Sequence, residues 1–581
     1  MKEYFTHFGE LYLYLESLPP KEDFLHYRKN SKYHNISKKT FLRNIIYLTL
    51  AFHKKGWKDK QIGLVISPSP YWLMIDYALM FSGAVSVPLF TNISSKNLHF
   101  QIKDADIHTV FIEDKVQKEM IESVIKNIEM IYVFDKENIL PPLNDLIEEG
   151  REIDKNDSAL FYRLLDQIKP DDMVTIVYTS GTSGTPKGVE LTHTNLISQI
   201  HATALNYHFD RNKDIAFSLL PLAHIFERMV MNFYLSQELT VYFADDIKNV
   251  GLMLKEVNPT VMTVVPRLLE KIYFKMEHKA MEGNVLKKVL VYFAFWRAKS
   301  KNPVSASTFI DRTLDRLVYV KLRQSLGSRM RMMISGGAAL SDDMYRFYLN
   351  IGIPLYQGYG LTESSPVICS NTPQNNKVGT CGKVFPGVEI KIEKEELLAR
   401  GSNIMRGYHH NKEETAKVID TEGWLHTGDR ASVDEEGYIR IFGRRSELFK
   451  TSTGEFVSSV YIEQALTSRG WFEHALIVGD SRPFVTALLF IEHEFLGRLA
   501  VKMHKTPLKV LDSNAFKIMT KKFIEKLNKR LNHWEKIRAY KVIPDVLSIE
   551  EGHLTPSMKL AKKQLMKHYS DEINKMYKDH R

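Results

Sequence analysis

Thr179, Ser180, Thr182, Ser183 and Thr185 surround Gly181 and Gly184 in the run YTSGTSGTPKG (178–188), which ends on Lys187 and Gly188. Residues of these types at this density suit a polyphosphate. Glycines let backbone N–H groups approach the anion, hydroxyls donate further bonds, and Lys187 adds charge. The β-branched Val174, Ile176 and Val177 predict a strand before the run, and 195–205 predicts a helix after it. The expected order is therefore strand, loop, lysine, helix. The run is not a Walker A motif, because Pro186 precedes Lys187 where that pattern has Gly. Ser, Thr and Gly also mark plain turns, so the weight falls on what else the chain carries.

Further along, LLPLAHIFER (219–228) ends a strand-like run at Pro221 and sets His224 at a loop or helix start. MMISGGAAL (332–340) ends a β-run in Gly336 and Gly337, then Ala338; small residues at a strand end permit close approach of a flat ring. YQGYGLTESSP (356–366) carries Gln357, Gly358, Tyr359, Gly360, Thr362 and Glu363. Tyr359 offers an aromatic face, Thr362 a hydroxyl for phosphate, and Glu363 a carboxylate for a hard cation such as Mg2+. WLHTGDRA (424–431) presents Asp429, GYIRIFGRR (437–445) presents Arg444, KTSTGEFVSSVYIE (450–463) presents Gly454, and LTPSMKLAKK (554–563) presents Lys559.

The elements that must hold these groups follow from pattern. Residues 37–54 and 71–82 read as helices, and 61–66, 83–88, 107–113 and 129–134 as strands. This βα alternation argues for a largely parallel sheet covered by helices. After about 380 short strands and acidic turns dominate, as at 388–393 and 437–443, and predict a smaller β subdomain. From about 447 the chain reads as a final α+β portion, with strands at 475–478 and 485–492. The segment 279–324 is helical, basic and aromatic; it fits an insertion packed on the main body, or a membrane-surface or acyl-entrance element.

A chain of 581 residues with 44% hydrophobic and 25% charged content is globular and spans several domains. Two cysteines give neither a disulfide framework nor metal-ligand spacing and suit a reducing cytoplasm. The longest apolar run, 289–296, is too short to span a bilayer, and the first residues lack the continuous apolar core of a signal peptide. The net charge is +10, and 498–541 holds 13 Lys and Arg against 3 Asp and Glu. That stretch includes an expected amphipathic helix, 515–531, with Phe516, Met519, Phe523, Leu527 and Leu531 on one face. Its charge reads as a solvated face, or as attraction to anionic lipid, a phosphate-rich cofactor or an acidic carrier protein. No nucleic-acid motif accompanies it.

In order and over roughly 36–570, these motifs resemble the adenylate-forming superfamily, which contains acyl-CoA synthetases, luciferases and peptide-synthetase adenylation domains. PTVMTVVPRLLEKIY (259–273), DRLVYVKLRQSLG (315–327) and GTCGKVFPGVEIKI (379–392) resemble its long-chain fatty-acyl-CoA synthetase branch. The resemblance implies an α/β fold: a large AMP-binding domain over 1–445, with βα-layered sheets and a β-rich part at 380–445, and a small mobile α+β domain over 446–581. It implies that 179–184 and 357–360 bind ATP or AMP, that Gly337, Ala338 and Tyr359 border adenine, and that Thr362, Asp429 and Arg444 hold phosphate and ribose. His224, Gly336, Gly337 and Gly360 would line the acyl pocket, Glu363 and Thr179 would lie at Mg2+, and Gly454 would flank the CoA channel. Lys559 would bridge substrate carboxylate and α-phosphate, with Glu363, Lys187 and His224 as the other catalytic groups.

Two positions depart from the family pattern. Ser446 stands at the hinge, usually Asp or Lys, and Met558 stands before Lys559 where many relatives have Gly. The implied activity is ATP- and Mg2+-dependent activation of a long-chain fatty acid to acyl-AMP, followed by transfer to CoA. The alternatives are an acyl-carrier-protein acceptor, adenylation alone, or a non-catalytic membrane-associated acyl or nucleotide binder. The expected location is cytoplasmic, with peripheral contact on the inner face of an anionic membrane.

Overall fold

Short polar side chains set many element ends. Ser37 accepts from the Thr40 amide and opens the helix Lys38–Lys54. Ser69 does the same for Trp72 at the start of Pro70–Ser82, with proline in the first helical turn, and Gly83 ends that helix at φ 77°. Both helices fall where the pattern placed them. The computed structural model describes residues 5–133, 142–179, 186–246 and 249–579.

Two large sheets organise residues 25–408. The first has nine strands in the order Lys383–Val384, Val367–Ser370, Leu355–Gly360, Met332–Ser335, Val261–Val264, Ile215–Ser218, Thr240–Phe243, Leu25–Lys29 and Lys32–Ile36. Its central six are parallel and its edges antiparallel. The second has seven, ordered Gly407–Tyr408, Lys187–Thr192, Met173–Thr179, Val85–Pro88, Gln61–Val65, Thr109–Ile112 and Glu129–Tyr132. The last five are parallel.

One expectation is corrected here. Lys187 does not lead into a helix; it begins a strand antiparallel to Met173–Thr179, with Thr179 opposite Lys187. The alternation of Val189 and Leu191, both buried, sustains that strand. Thr192 and Asn195 then cap each other's backbone to start His193–Asn206. The described order is strand, strand, helix.

The change of texture near 380 marks a four-stranded antiparallel sheet of Val388–Glu393, Glu396–Gly401, Leu425–Val433 and Ile439–Arg444. Beyond it, Phe472–Val478, Val485–Ile491 and Ile537–Ile543 form a three-stranded sheet. Its two faces carry separate apolar clusters whose buried members all lie between Val457 and Tyr577. The expected amphipathic helix appears as Asn514–Asn528, with Phe516, Phe523 and Leu527 buried.

One polar contact ties the two large sheets together. Arg228, fully buried on the helix Ile225–Ser236, donates to both carboxylate oxygens of Asp76 at 2.9 and 2.6 Å, to Thr175 Oγ1 at 2.7 Å and to Ser86 Oγ at 3.0 Å. Asp76 lies on Pro70–Ser82, and Thr175 and Ser86 lie on adjacent strands of the second sheet. Removing one partner strands a charge in the interior. Asp76→Ala should therefore cost about 3–5 kcal/mol, read as a lowered thermal unfolding midpoint.

Candidate active site

Ligands of open α/β sheets bind beyond the carboxyl ends of the strands, and there the first sheet gathers most of the expected residues. His224 follows Ile215–Ser218, Gly336 and Gly337 follow Met332–Ser335, and Gln357 to Glu363 occupy and follow Leu355–Gly360. Ser335 pairs with Gln357 across two parallel strands, so the Gly336 and Tyr359 segments emerge side by side. All border one cleft of about 3230 Å3, as do Thr179, Lys187, Asp429, Arg444 and Lys559.

Gly360 is dictated by space. A Cβ there would sit 1.7 Å from the Pro366 carbonyl oxygen, so no other residue fits without moving the Tyr359–Glu363 turn. Gly337 takes φ 77°, a left-handed conformation that favours glycine.

His224 caps its helix: Nδ1 accepts from the Phe226 amide at 3.3 Å. Burial, with a smaller contribution from the Lys559 charge, lowers its pKa to about 4. The ring is therefore neutral at pH 7, and with Nδ1 accepting, its proton lies on Nε2 as a donor.

Strand pairing places the ribose candidates. Asp429 and Arg444 are register partners, with Arg444 Nε 3.8 Å from Asp429 Oδ1. The Tyr359 hydroxyl donates to the other Asp429 oxygen. Asp429's pKa is nonetheless raised, because burial outweighs those two contacts.

Glu363 accepts from the Tyr408 hydroxyl at 2.8 Å. Lys187 donates to Glu414 at 2.6 Å, and its ammonium lies 4.8 Å from the centre of the Tyr408 ring. Bonds from Lys187 and Lys417 hold Glu414 down to about 2. No motif singled out Tyr408 or Glu414. Tyr408 reaches the site because Gly407–Tyr408 pairs with Val189 and Glu190, a partnership the local pattern does not announce.

Lys559 comes from the far end of the chain. Its loop docks on the turn and helix start that follow Val85–Pro88: Asn92 Nδ2 donates to the Pro556 carbonyl at 3.2 Å, and the Ser95 amide to Glu550 at 3.4 Å. The side chain is open to the water of the cleft yet walled by protein. Lost hydration and repulsion from Arg444 lower its pKa, with Glu447 and Asp429 opposing. Met558 takes φ 62°, so the backbone makes a glycine-type turn with methionine in it.

Some expected residues fall elsewhere. Ser180, Gly181, Thr182, Ser183 and Gly184 lie outside the described residues. Gly454 sits at φ 94° in an exposed turn that does not border the cleft. Ser446 is in the 3₁₀ turn Arg445–Glu447.

The model of the AMP-binding enzyme family matches residues 32–409, and that of the AMP-binding enzyme C-terminal domain matches 447–581. The chain belongs to the AMP-binding enzyme family. It is 31% identical over 543 residues to the long-chain-fatty-acid–CoA ligase FadD15 of Mycobacterium bovis, covering 88% of this chain and 87% of that one. It is 30% identical over 582 residues to the peroxisomal long chain acyl-CoA synthetase 7 of Arabidopsis thaliana, covering 92% and 80%. Solved structures confirm the fold. The adenylation domain of a Mycobacterium chelonae carboxylate reductase superposes with TM-score 0.73 at 18% identity, over 98% of this chain and 90% of that one. O-succinylbenzoate coenzyme A synthetase of Bacillus subtilis with ATP and magnesium superposes with TM-score 0.67 at 19% identity, over 96% and 98%.

The opposed cations make a test. Activity that needs protonated Lys559 should fall as pH rises through its lowered pKa, giving an alkaline limb below the ordinary lysine value. Arg444→Gln removes a lowering charge, so the limb of ATP–pyrophosphate exchange should move to higher pH. A limb that stays in place would assign it to another group.

Proposed function

We propose that this protein activates a long-chain fatty acid with ATP to give acyl-AMP and pyrophosphate, then transfers the acyl group to CoA. The observation that carries this reading is the Lys559 loop docked across the cleft beside His224 and Arg444. Two cations and a neutral N–H donor converge there, and the cargo to match them is an anionic carboxylate meeting an anionic phosphate.

A carboxylate oxygen attacks the α-phosphorus, and the bond to the pyrophosphate oxygen breaks. Lys559 and Arg444 offset the charge that gathers on the α-phosphate, and the Nε2–H of His224 is available to an oxygen of the acid. Lys187 at the start of its strand serves the departing pyrophosphate once phosphate draws it from Glu414. Among the described residues no cluster of three or more His, Cys, Asp or Glu could hold a metal alone. Glu363 with Thr179 fits Mg2+, which takes few protein oxygens and completes its shell from phosphates and water. That ion, when bound, neutralises phosphate charge.

Phe226, Met229, Val230 and Ile334, with Thr203 and Tyr207, line an apolar side of the cleft beyond His224, and it suits an alkyl chain. Each buried CH2 contributes about 0.8 kcal/mol, so eight more carbons would contribute about 6 kcal/mol in a lobe of full length. The large domain is 1–445 and the small one 446–581, hinged at Ser446. Rotation there withdraws Lys559 and brings the exposed Gly454 turn to the thiol channel.

An acidic acyl-carrier-protein acceptor is the second reading, favoured by the exposed Lys517, Lys521 and Lys522 on Asn514–Asn528. Among the described residues no helix is long and apolar enough to cross a membrane. The protein works in the cytoplasm, in peripheral contact with an anionic membrane.

Pyrophosphate release with ATP, Mg2+ and palmitate should turn over only when CoA is added; a single burst that ignores CoA would favour the carrier protein. Lys559→Ala should slow adenylation by at least ~10²-fold, the usual order for one preorganised charge donor. It should spare thioester formation from supplied acyl-AMP, and equal loss of both steps would sink the rotation.

A further inference from the structure

The helix Val285–Ser300 is apolar on two opposite sides. On its inner side Val291, Ala294, Phe295 and Ala298 are buried. The Phe295 ring meets Tyr273 and Phe347 at centroid distances of 5.5 and 5.1 Å, and Tyr319 Oη donates to the Ala294 carbonyl at 2.9 Å. On its outer side Leu286, Val289, Tyr292 and Trp296 are 81%, 62%, 69% and 53% exposed. A helix with two apolar sides leaves one of them facing water unless a partner covers it. Of the 27 large apolar side chains exposed among the described residues, ten lie within 285–317, so the exposure is concentrated.

Charge says what covers this face. Residues 271–323 hold 12 Lys and Arg against 4 Asp and Glu, one of two strongly basic stretches in the chain. At 100° per residue, Lys288 borders the apolar stripe on one side and Arg297 on the other. Asp311 pairs with Arg297 at 3.0 Å and with Lys301 at 2.8 Å, which sets the exposed Phe309 beside the end of this helix. We propose that this face docks on the surface of an anionic phospholipid bilayer, its stripe seated at the boundary of headgroups and acyl chains and its cations on lipid phosphates. Aromatic and aliphatic side chains framed by Lys and Arg are the composition of an interfacial helix. A second copy of this chain would bring the same positive charge to the contact.

The inference gives the membrane contact of the proposed function a location, and its test needs no catalysis. It also chooses between the sequence's two candidates for lipid, 279–324 and the basic stretch 498–541. The apolar side of Asn514–Asn528 is buried in its own domain and leaves mostly charge outside. Because Lys299, near the end of Val285–Ser300, lines the cleft, docking sets the cleft wall close to the bilayer where long-chain acids partition.

The experiment is co-sedimentation with vesicles of phosphatidylcholine mixed with phosphatidylglycerol, against phosphatidylcholine alone, at low and raised salt. The full chain should bind the anionic vesicles, less at raised salt. Leu286→Glu with Trp296→Glu should weaken binding about tenfold or more, while circular dichroism and ATP–pyrophosphate exchange with a water-soluble fatty acid stay unchanged. Lys521→Glu with Lys522→Glu should cost less. Equal binding by the full chain and the Leu286/Trp296 variant would overturn the proposal, as would no binding by the full chain. So would sedimentation velocity showing that the variant splits a dimer, which would make the face a contact between copies.

Discussion

Arg228 is the contact on which the site depends. Its helix begins at His224, on the side of the cleft suited to the acid, and its amide donates to the His224 carbonyl. Its guanidinium reaches Thr175, four residues before Thr179, where the glycine- and hydroxyl-rich run begins. One buried cation thus fixes the distance between the two halves of the chemistry. A guanidinium suits this task because its planar fork satisfies a carboxylate with two bonds and still has donors for two hydroxyls. The pair is costly to bury, so its value lies in geometry more than in net stability.

The cleft beyond this contact collects more positive charge than it neutralises. Lys559 and Arg444 repel each other, and protein around Lys559 sharpens the repulsion by removing water. Lys187 is held in check by Glu414, which itself answers to Lys417. Asp429 is occupied by Tyr359 and Arg444, and Glu363 by Tyr408. The charged groups are thus positioned by partners they can exchange for ligand oxygens. Such preorganisation limits the rearrangement needed when charge develops.

The small C-terminal portion contributes the lysine without sharing a core with the rest. Its apolar clusters close on themselves, and its hold near Lys559 on the turn and helix start after Val85–Pro88 is polar, through Asn92, Ser95 and their partners. Polar contacts of this kind break and reform at little cost, which suits the rotation proposed for this part.

Much of this was legible in the sequence because it is local. Alternation and helical period gave the helices at 38–54 and 70–82 and the strands at 61–65 and 85–88, to within a residue or two. The motif residues from Thr179 to Lys559 that lie among the described ones were named from type and order, and most of them border one cleft. The strand at Lys187–Thr192 was missed because a short β-run beside a helix start reads as irregular until its partner strand is known. Tyr408, Glu414 and the Arg228–Asp76 pair were invisible for the same reason: each acts on a residue more than 40 positions away. The outward face of Val285–Ser300 was half legible. Its composition was plain, but which of the helix's two apolar sides meets the core is decided by packing against Tyr273, Phe347 and Tyr319. The sequence determined which chemistry the chain carries; the tertiary structure decided which charges face one another and which apolar surface is left for a partner.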